Sequence, residues 1–92
     1  MKIHLDLSKH CIETAIRKQY HLNISRYFKI PEDREKLQAE IEVLINALEH
    51  FDFSFLRRTY PELEGHCSHE VVLEADERHH PVIRLNGERI LN

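Results

Sequence analysis

The sequence predicts an α+β fold: two to three helices packed on one face of a small antiparallel β-meander, with an N-terminal strand able to join its edge. Three observations carry this. Apolar residues recur at helical spacing between residues 9 and 60. They alternate at period two in residues 70–75 and again from residue 81. Asn86-Gly87, the dipeptide favoured by a two-residue type I′ hairpin, stands inside the second of these stretches.

Residues 2–7 alternate, with Ile3, Leu5 and Leu7 on one side and Lys2, His4 and Asp6 on the other, which predicts a short half-buried strand. Asp6 or Ser8 could instead open the next helix as an N-cap. From Lys9 the period becomes helical: Ile12, Ala15, Ile16 and Tyr20 share a face, predicting a helix at about 9–21. Asn23 is one place for it to end. The other is Ile30, because a residue before proline is pushed out of helical geometry and Pro31 follows.

Pro31, Glu32 and Asp33 suit the start of a second helix. Its stripe is Leu37, Ile41, Leu44, Leu48 and Phe51, widened by Ile45. The stripe is too short for a long coiled coil, which favours packing within one domain. Asp52 can cap a third helix from Phe53 to about Thr59, with Phe53, Phe55 and Leu56 apolar and Arg57-Arg58 exposed. Pro61 stops it, and Gly65 suits the left-handed geometry of a helix end.

In the C-terminal quarter a two-residue turn at Asn86-Gly87 pairs Leu85 with Glu88, Arg84 with Arg89 and Ile83 with Ile90. A five-residue loop, 76–80, pairs Leu73 with Ile83 and Val71 with Leu85. That register gathers Val71, Leu73, Ile83, Leu85 and Ile90 on one face. The opposite face carries Glu70, Glu74, Arg84 and Arg89, with Glu74 in diagonal reach of Arg84.

Ninety-two residues suit a single domain, 1–92, with a mainly helical part (1–65) and a β part (66–92). No apolar run approaches the roughly 20 residues that span a bilayer, and residues 1–6 lack the apolar stretch of a signal peptide. Two distant cysteines do not make a disulfide framework, so the expected setting is cytoplasmic, with reduced thiols and no membrane. The net charge of −3 is uneven. Residues 1–30 hold six Lys/Arg against two Asp/Glu, residues 31–80 five against thirteen, and the last twelve two against one. The basic and acidic parts can balance within one fold, or the basic part can face an anionic partner.

Chemistry-bearing residues concentrate in Gly65-His66-Cys67-Ser68-His69-Glu70. His66, Cys67 and His69 offer three donors of the kind zinc takes in a tetrahedral site. His79 and His80 look like completions, but the hairpin puts them at the far end of a strand from His69, roughly 20 Å away at 3.3 Å per residue. The fourth ligand would then come from His4, His50, Glu70 or water. There is no Cys-x-x-Cys pair, and solvated or structurally bonded histidines are the plainer reading. Cys67 beside His66 and His69 also has the makings of a thiolate nucleophile. An oriented base and an oxyanion site are not evident, and two glycines leave no phosphate loop. No catalytic activity is expected.

Helices followed by a β-hairpin, over about residues 31–91, resemble winged-helix DNA-binding domains in element order. The resemblance implies a reading role for the third helix, with Arg57 and Arg58. That helix lies in the acidic part of the chain, which argues against nucleic acid as the partner. The basic residues Arg17, Lys18, Arg26 and Lys29, with Tyr27 and Phe28 between them, form the stretch that could bind it.

The leading expectation is a small soluble protein-interaction or regulatory domain that binds another protein, its own copy included as a homodimer. The first helix, the seam of the second and the final edge strand, Glu88 to Leu91, are the candidate surfaces. The alternative is a zinc-binding module using His66, Cys67 and His69. A second alternative is nucleic-acid binding through residues 9–29.

Overall fold

The computed structural model describes residues 1–65 and 70–91. Three helices pack against one face of a four-stranded antiparallel sheet, the α+β arrangement that the periodicities predict. The strands are β1 (Lys2–Leu5), β2 (Val71–Ala75), β3 (Pro81–Leu85) and β4 (Glu88–Leu91), and they lie in that order across the sheet. The N-terminal strand therefore does join the meander. It pairs with β2 through Ile3–Leu73 and Leu5–Val71.

The β2–β3 register is Val71–Leu85 and Leu73–Ile83, as the five-residue loop requires. Asp76 shapes that loop: its Oδ1 accepts from the backbone N–H groups of Arg78 (2.9 Å) and His80 (3.2 Å). At the next turn Asn86 and Gly87 both have positive φ (52° and 84°), the type I′ geometry that Asn-Gly favours. Leu85–Glu88 and Arg84–Arg89 pair as expected, but Ile83 faces Leu91 rather than Ile90. The register shifts between Ile83 and Arg84, leaving Ile90 as the extra residue of a bulge, and Ile90 still packs against the core.

Helix α1 (Ile12–Lys29) runs through Asn23 and ends where Ile30 meets Pro31. A single 3-10 turn, Pro31–Asp33, leads into α2 (Arg34–His50). Helix α3 (Phe53–Thr59) is capped by Asp52, whose Oδ1 accepts from Phe55 N–H at 3.1 Å. A second 3-10 turn, Pro61–Leu63, follows.

The core joins Ile3, Leu5 and Leu7 to Ile12, Ala15 and Ile16 of α1. It continues through Val43, Leu44 and Ala47 of α2, Phe53 and Leu56 of α3, Leu63, and Val71, Leu73 and Ile83 of the sheet. The buried side of α2 is rotated from the seam expected for it. Leu37, Val43, Leu44 and Ala47 are buried, whereas Ile41, Ile45 and Leu48 are half-buried at the margin. Val43 and Ala47, apolar residues outside the expected seam, are fully buried and shift the packed side, and Glu40, within the arc from Leu37 to Ala47, accepts from Asn23 of α1. In α3 two expectations change. Phe55 is exposed. Arg57, expected in water, is only 27% exposed and turns toward Glu13 (3.4 Å) and Glu64 (3.5 Å).

Candidate interaction surface

The α1–α2 hairpin is held together at mid-length by a polar contact. Asn23 is completely buried. Its Oδ1 accepts from Gln19 Nε2 (2.8 Å) and its Nδ2 donates to Glu40 Oε2 (3.0 Å). A buried amide with both ends satisfied fixes the register of two helices as well as stabilising them.

Beyond this contact the hairpin is mostly exposed. From Ile24 to Lys36 no residue is buried. Phe28 is 72% exposed, the most of any large apolar side chain described, and Ile30 is 37% exposed. The Phe28 and Tyr27 rings meet edge to face at 5.3 Å. Arg34, from the start of α2, lies over Tyr27 with its guanidinium carbon 5.5 Å from the ring centroid. Its Nε also donates to the Tyr27 carbonyl at 3.0 Å. The tip thus presents an unburied aromatic ring flanked by cations.

Of the basic residues singled out in the sequence, Arg26 and Lys29 stand in the last turn of α1, at this tip. Lys18 is exposed farther back on the helix. Arg17 is exposed but paired with Glu13 at 3.0 Å, one turn away. The four therefore do not converge on one spot. Glu13 also receives Arg57, and these contacts hold its carboxyl below the usual glutamate range: the Arg17 hydrogen bond is the larger cause, burial opposes it, and Arg57 adds to it.

The proposed zinc ligands His66, Cys67 and His69 lie outside the described residues. Among the described residues no group of three or more His, Cys, Asp or Glu side chains could hold a metal ion. Cys11 precedes α1, with its Sγ 3.3 Å from Thr14 Oγ1. Burial pushes its thiol pKa up. Hydrogen bonds with Thr14 and the charge of Arg57 together outweigh this, so the net direction is downward. Gly65, with φ +107°, packs on this corner: a Cβ there would lie 3.3 Å from the His10 carbonyl carbon.

The other loop histidine of interest, His79, is taken up by the fold. Its Nδ1 is 2.6 Å from Glu42 Oε2, and its carbonyl accepts from Asn46 Nδ2 at 3.0 Å, tying the β2–β3 loop to α2. The open cleft here, about 410 Å³, is lined by Glu42, Ile45, Asn46, Glu77, Arg78 and His79. That set holds a His–carboxylate pair but no hydroxyl or thiol nucleophile.

A further cleft, about 260 Å³, runs between the outer edge of β1 and the helical hairpin, with Lys2, His4, Gln19, Arg26, Lys36 and Glu40 among its walls. Sequence reasoning missed it and missed the Asn23–Glu40 contact. One signal was available: Asn23 falls on the helical face of Ile12, Ile16 and Tyr20, where a polar residue needs a partner.

Among the described residues no helix is long and apolar enough to cross a membrane. No solved structure matches the chain. It is 43% identical over 60 residues to an uncharacterized protein of Archaeoglobus fulgidus, a match covering 63% of this chain and 71% of that protein. A family model matches residues 1–84, and the chain belongs to that family.

Proposed function

We propose that this chain is a cytoplasmic, non-catalytic domain that works by binding another protein, its own copy included. The observation that carries the reading is Phe28, a large apolar ring left 72% exposed at the tip of a helical hairpin. Exposed aromatic residues beside arginine are the composition of interface anchors, and burial of such a ring is a common source of binding energy. The test is a native mass spectrum of the untagged chain over a range of concentrations, with Phe28→Ser beside it. A concentration-dependent dimer supports self-association. Co-purification of a defined protein with the wild type, lost in Phe28→Ser, supports a different partner. A bare monomer with neither refutes the reading.

A second reading, a zinc module using His66, Cys67 and His69, has one observation in its favour. Gly65, which precedes those donors in the sequence, packs against His10 and Cys11, two further donor residues. One zinc per chain in the same spectrum, lost on chelation and absent from Cys67→Ser, would support it. An unchanged titration in Cys67→Ser would refute it. Nucleic acid is the weaker partner: Lys18→Glu with Arg26→Glu should weaken any oligonucleotide binding, and no binding at low salt ends that idea.

A further inference from the structure

We infer that the partner is a second copy of this chain, and that two copies join through their β1 edges in a two-fold antiparallel register centred on His4. The inference rests on the self-association included in the reading above and places it at the β1 edge rather than at the Phe28 tip.

The sheet has two edges, β1 and β4. The β4 edge is disturbed by the bulge at Ile90, which discourages strand pairing. The β1–β2 register is regular. β1 ends the sheet on that side, and alongside it lies the cleft between Lys2 and His4 on one side and Arg26, Lys36 and Glu40 on the other.

The hydrogen-bonding phase of β1 selects the pairing. Met1 and Ala75 exchange both backbone bonds, Ala75 N–H to Met1 O at 3.1 Å and Met1 N to Ala75 O at 3.3 Å. In an antiparallel ladder such exchange recurs every second residue. Ile3 and Leu5 therefore turn their N–H and C=O groups to β2, while Lys2 and His4 turn theirs to the open edge. The alternation of buried and exposed side chains continues through Asp6 and Leu7.

A second β1 can use those outward groups only if even-numbered residues face one another. Centring on Lys2 sets two lysines opposite, and Lys2 against His4 leaves Asp6 with no facing residue. Centring on Leu5 sets Lys2 opposite Ser8, beyond the strand, and shortens the ladder to His4 and Asp6. Centring on His4 pairs Lys2 with Asp6 of the second copy, twice by symmetry, and His4 with His4. It also sets Ile3 opposite Leu5, so the apolar faces of both sheets lie on the same side. The contact is self-complementary, as a two-fold interface must be, and it fuses two four-stranded sheets into one.

The experiment is sedimentation velocity on the untagged full chain across concentrations, for wild type, His4→Pro, Lys2→Asp, Asp6→Lys and the Lys2→Asp/Asp6→Lys pair. Proline at position 4 removes an N–H that makes no bond to β2, so the monomer fold is kept, as circular dichroism would show. In the dimer it removes central backbone bonds, and the dissociation constant should rise about 100-fold. Each single charge change places like charges opposite and should weaken the dimer, and the swapped pair should recover most of the loss even if proline perturbs the strand. A wild-type dimer indifferent to all four variants overturns the β1 interface and leaves self-association standing. A wild type that stays monomeric overturns both the interface and self-association.

Discussion

At position 23 an asparagine does what an aliphatic residue would do elsewhere on the same helical face, and its amide ties α1 to α2. Asn23 has no exposed surface, and its two amide ends meet Gln19 and Glu40. Asn23→Ala should therefore cost about 1–3 kcal/mol in urea denaturation, by stranding the polar ends it now serves. Asn23→Asp gives a sharper check. It sets a carboxylate against Glu40, so it should be more damaging at neutral pH than in mild acid, where one of the two carboxyls takes up a proton. An Asn23→Asp variant as stable as wild type at neutral pH would sink the assignment. Glu13 and Glu74 act through charge instead. Arg17 holds the Glu13 carboxyl down chiefly by hydrogen bonding, with Arg57 adding to it. Arg84 does the same for Glu74 at 2.8 Å, with Lys2 assisting. Because both carboxyls have depressed values in the fold, their contribution is fully present above the ordinary glutamate value of 4.5 and is lost as pH falls through the lower folded values. The urea midpoint should decline below about pH 4.5, and Arg57→Met should make that decline shallower.

The elements were legible where the chain states its own boundaries. Asp52 before Phe53, Pro31 after Ile30 and Asn86-Gly87 between two alternating runs each name a cap, a stop or a turn, and the structure uses each one so. The β2–β3 register was legible because only a five-residue loop brings Leu73 opposite Ile83 and Val71 opposite Leu85. The bulge at Ile90 was not, since an extra residue leaves no mark in a run of four. The rotation of α2 was missed because Val43 and Ala47, both fully buried, were left out of its seam, and the Asn23–Glu40 contact was hidden because periodicity within one helix cannot report a contact between two. The candidate surface was legible in part. The cations Arg26 and Lys29 were identifiable, but the exposure of Phe28 depends on how far the hairpin runs past the core. The two glycines separate two kinds of constraint. At Gly87 (φ +84°) a Cβ meets nothing within 4 Å, so Gly87→Ala bears only the left-handed backbone penalty, about 1 kcal/mol. At Gly65 (φ +107°) the added methyl also presses on the His10 backbone at 3.3 Å. Gly65→Ala should lower the denaturation midpoint distinctly more than Gly87→Ala, and equal effects would mean that the contact with His10 yields freely.

Over the whole molecule, stability and exposure are divided between two regions. Apolar packing is concentrated where Ile12, Ala15 and Ile16 meet Val43, Leu44 and Ala47 over β2 and β3. The hairpin tip lies outside that core: it is held by the Asn23 contact, the buried Leu37 and the stacking of Arg34 on Tyr27. Local opening free energies follow buried apolar contact, so the tip should open well before the sheet does. Native-state hydrogen exchange should show amides of residues 26–29 and 34–36 exchanging at least tenfold faster than those of residues 15–20 and 71–73. The same measurement bears on association. A partner seated on Phe28 would slow exchange at the tip, whereas pairing through β1 would slow the outward-facing Lys2 and His4 amides and leave those of Ile3 and Leu5, already bonded to β2, nearly unchanged. Run at concentrations above and below the dimer midpoint, one exchange experiment therefore tells the two surfaces apart. If protection at the tip equals that in the sheet in dilute monomer, the hairpin is more firmly packed than its exposed side chains indicate, and Phe28 loses its standing as a free anchor.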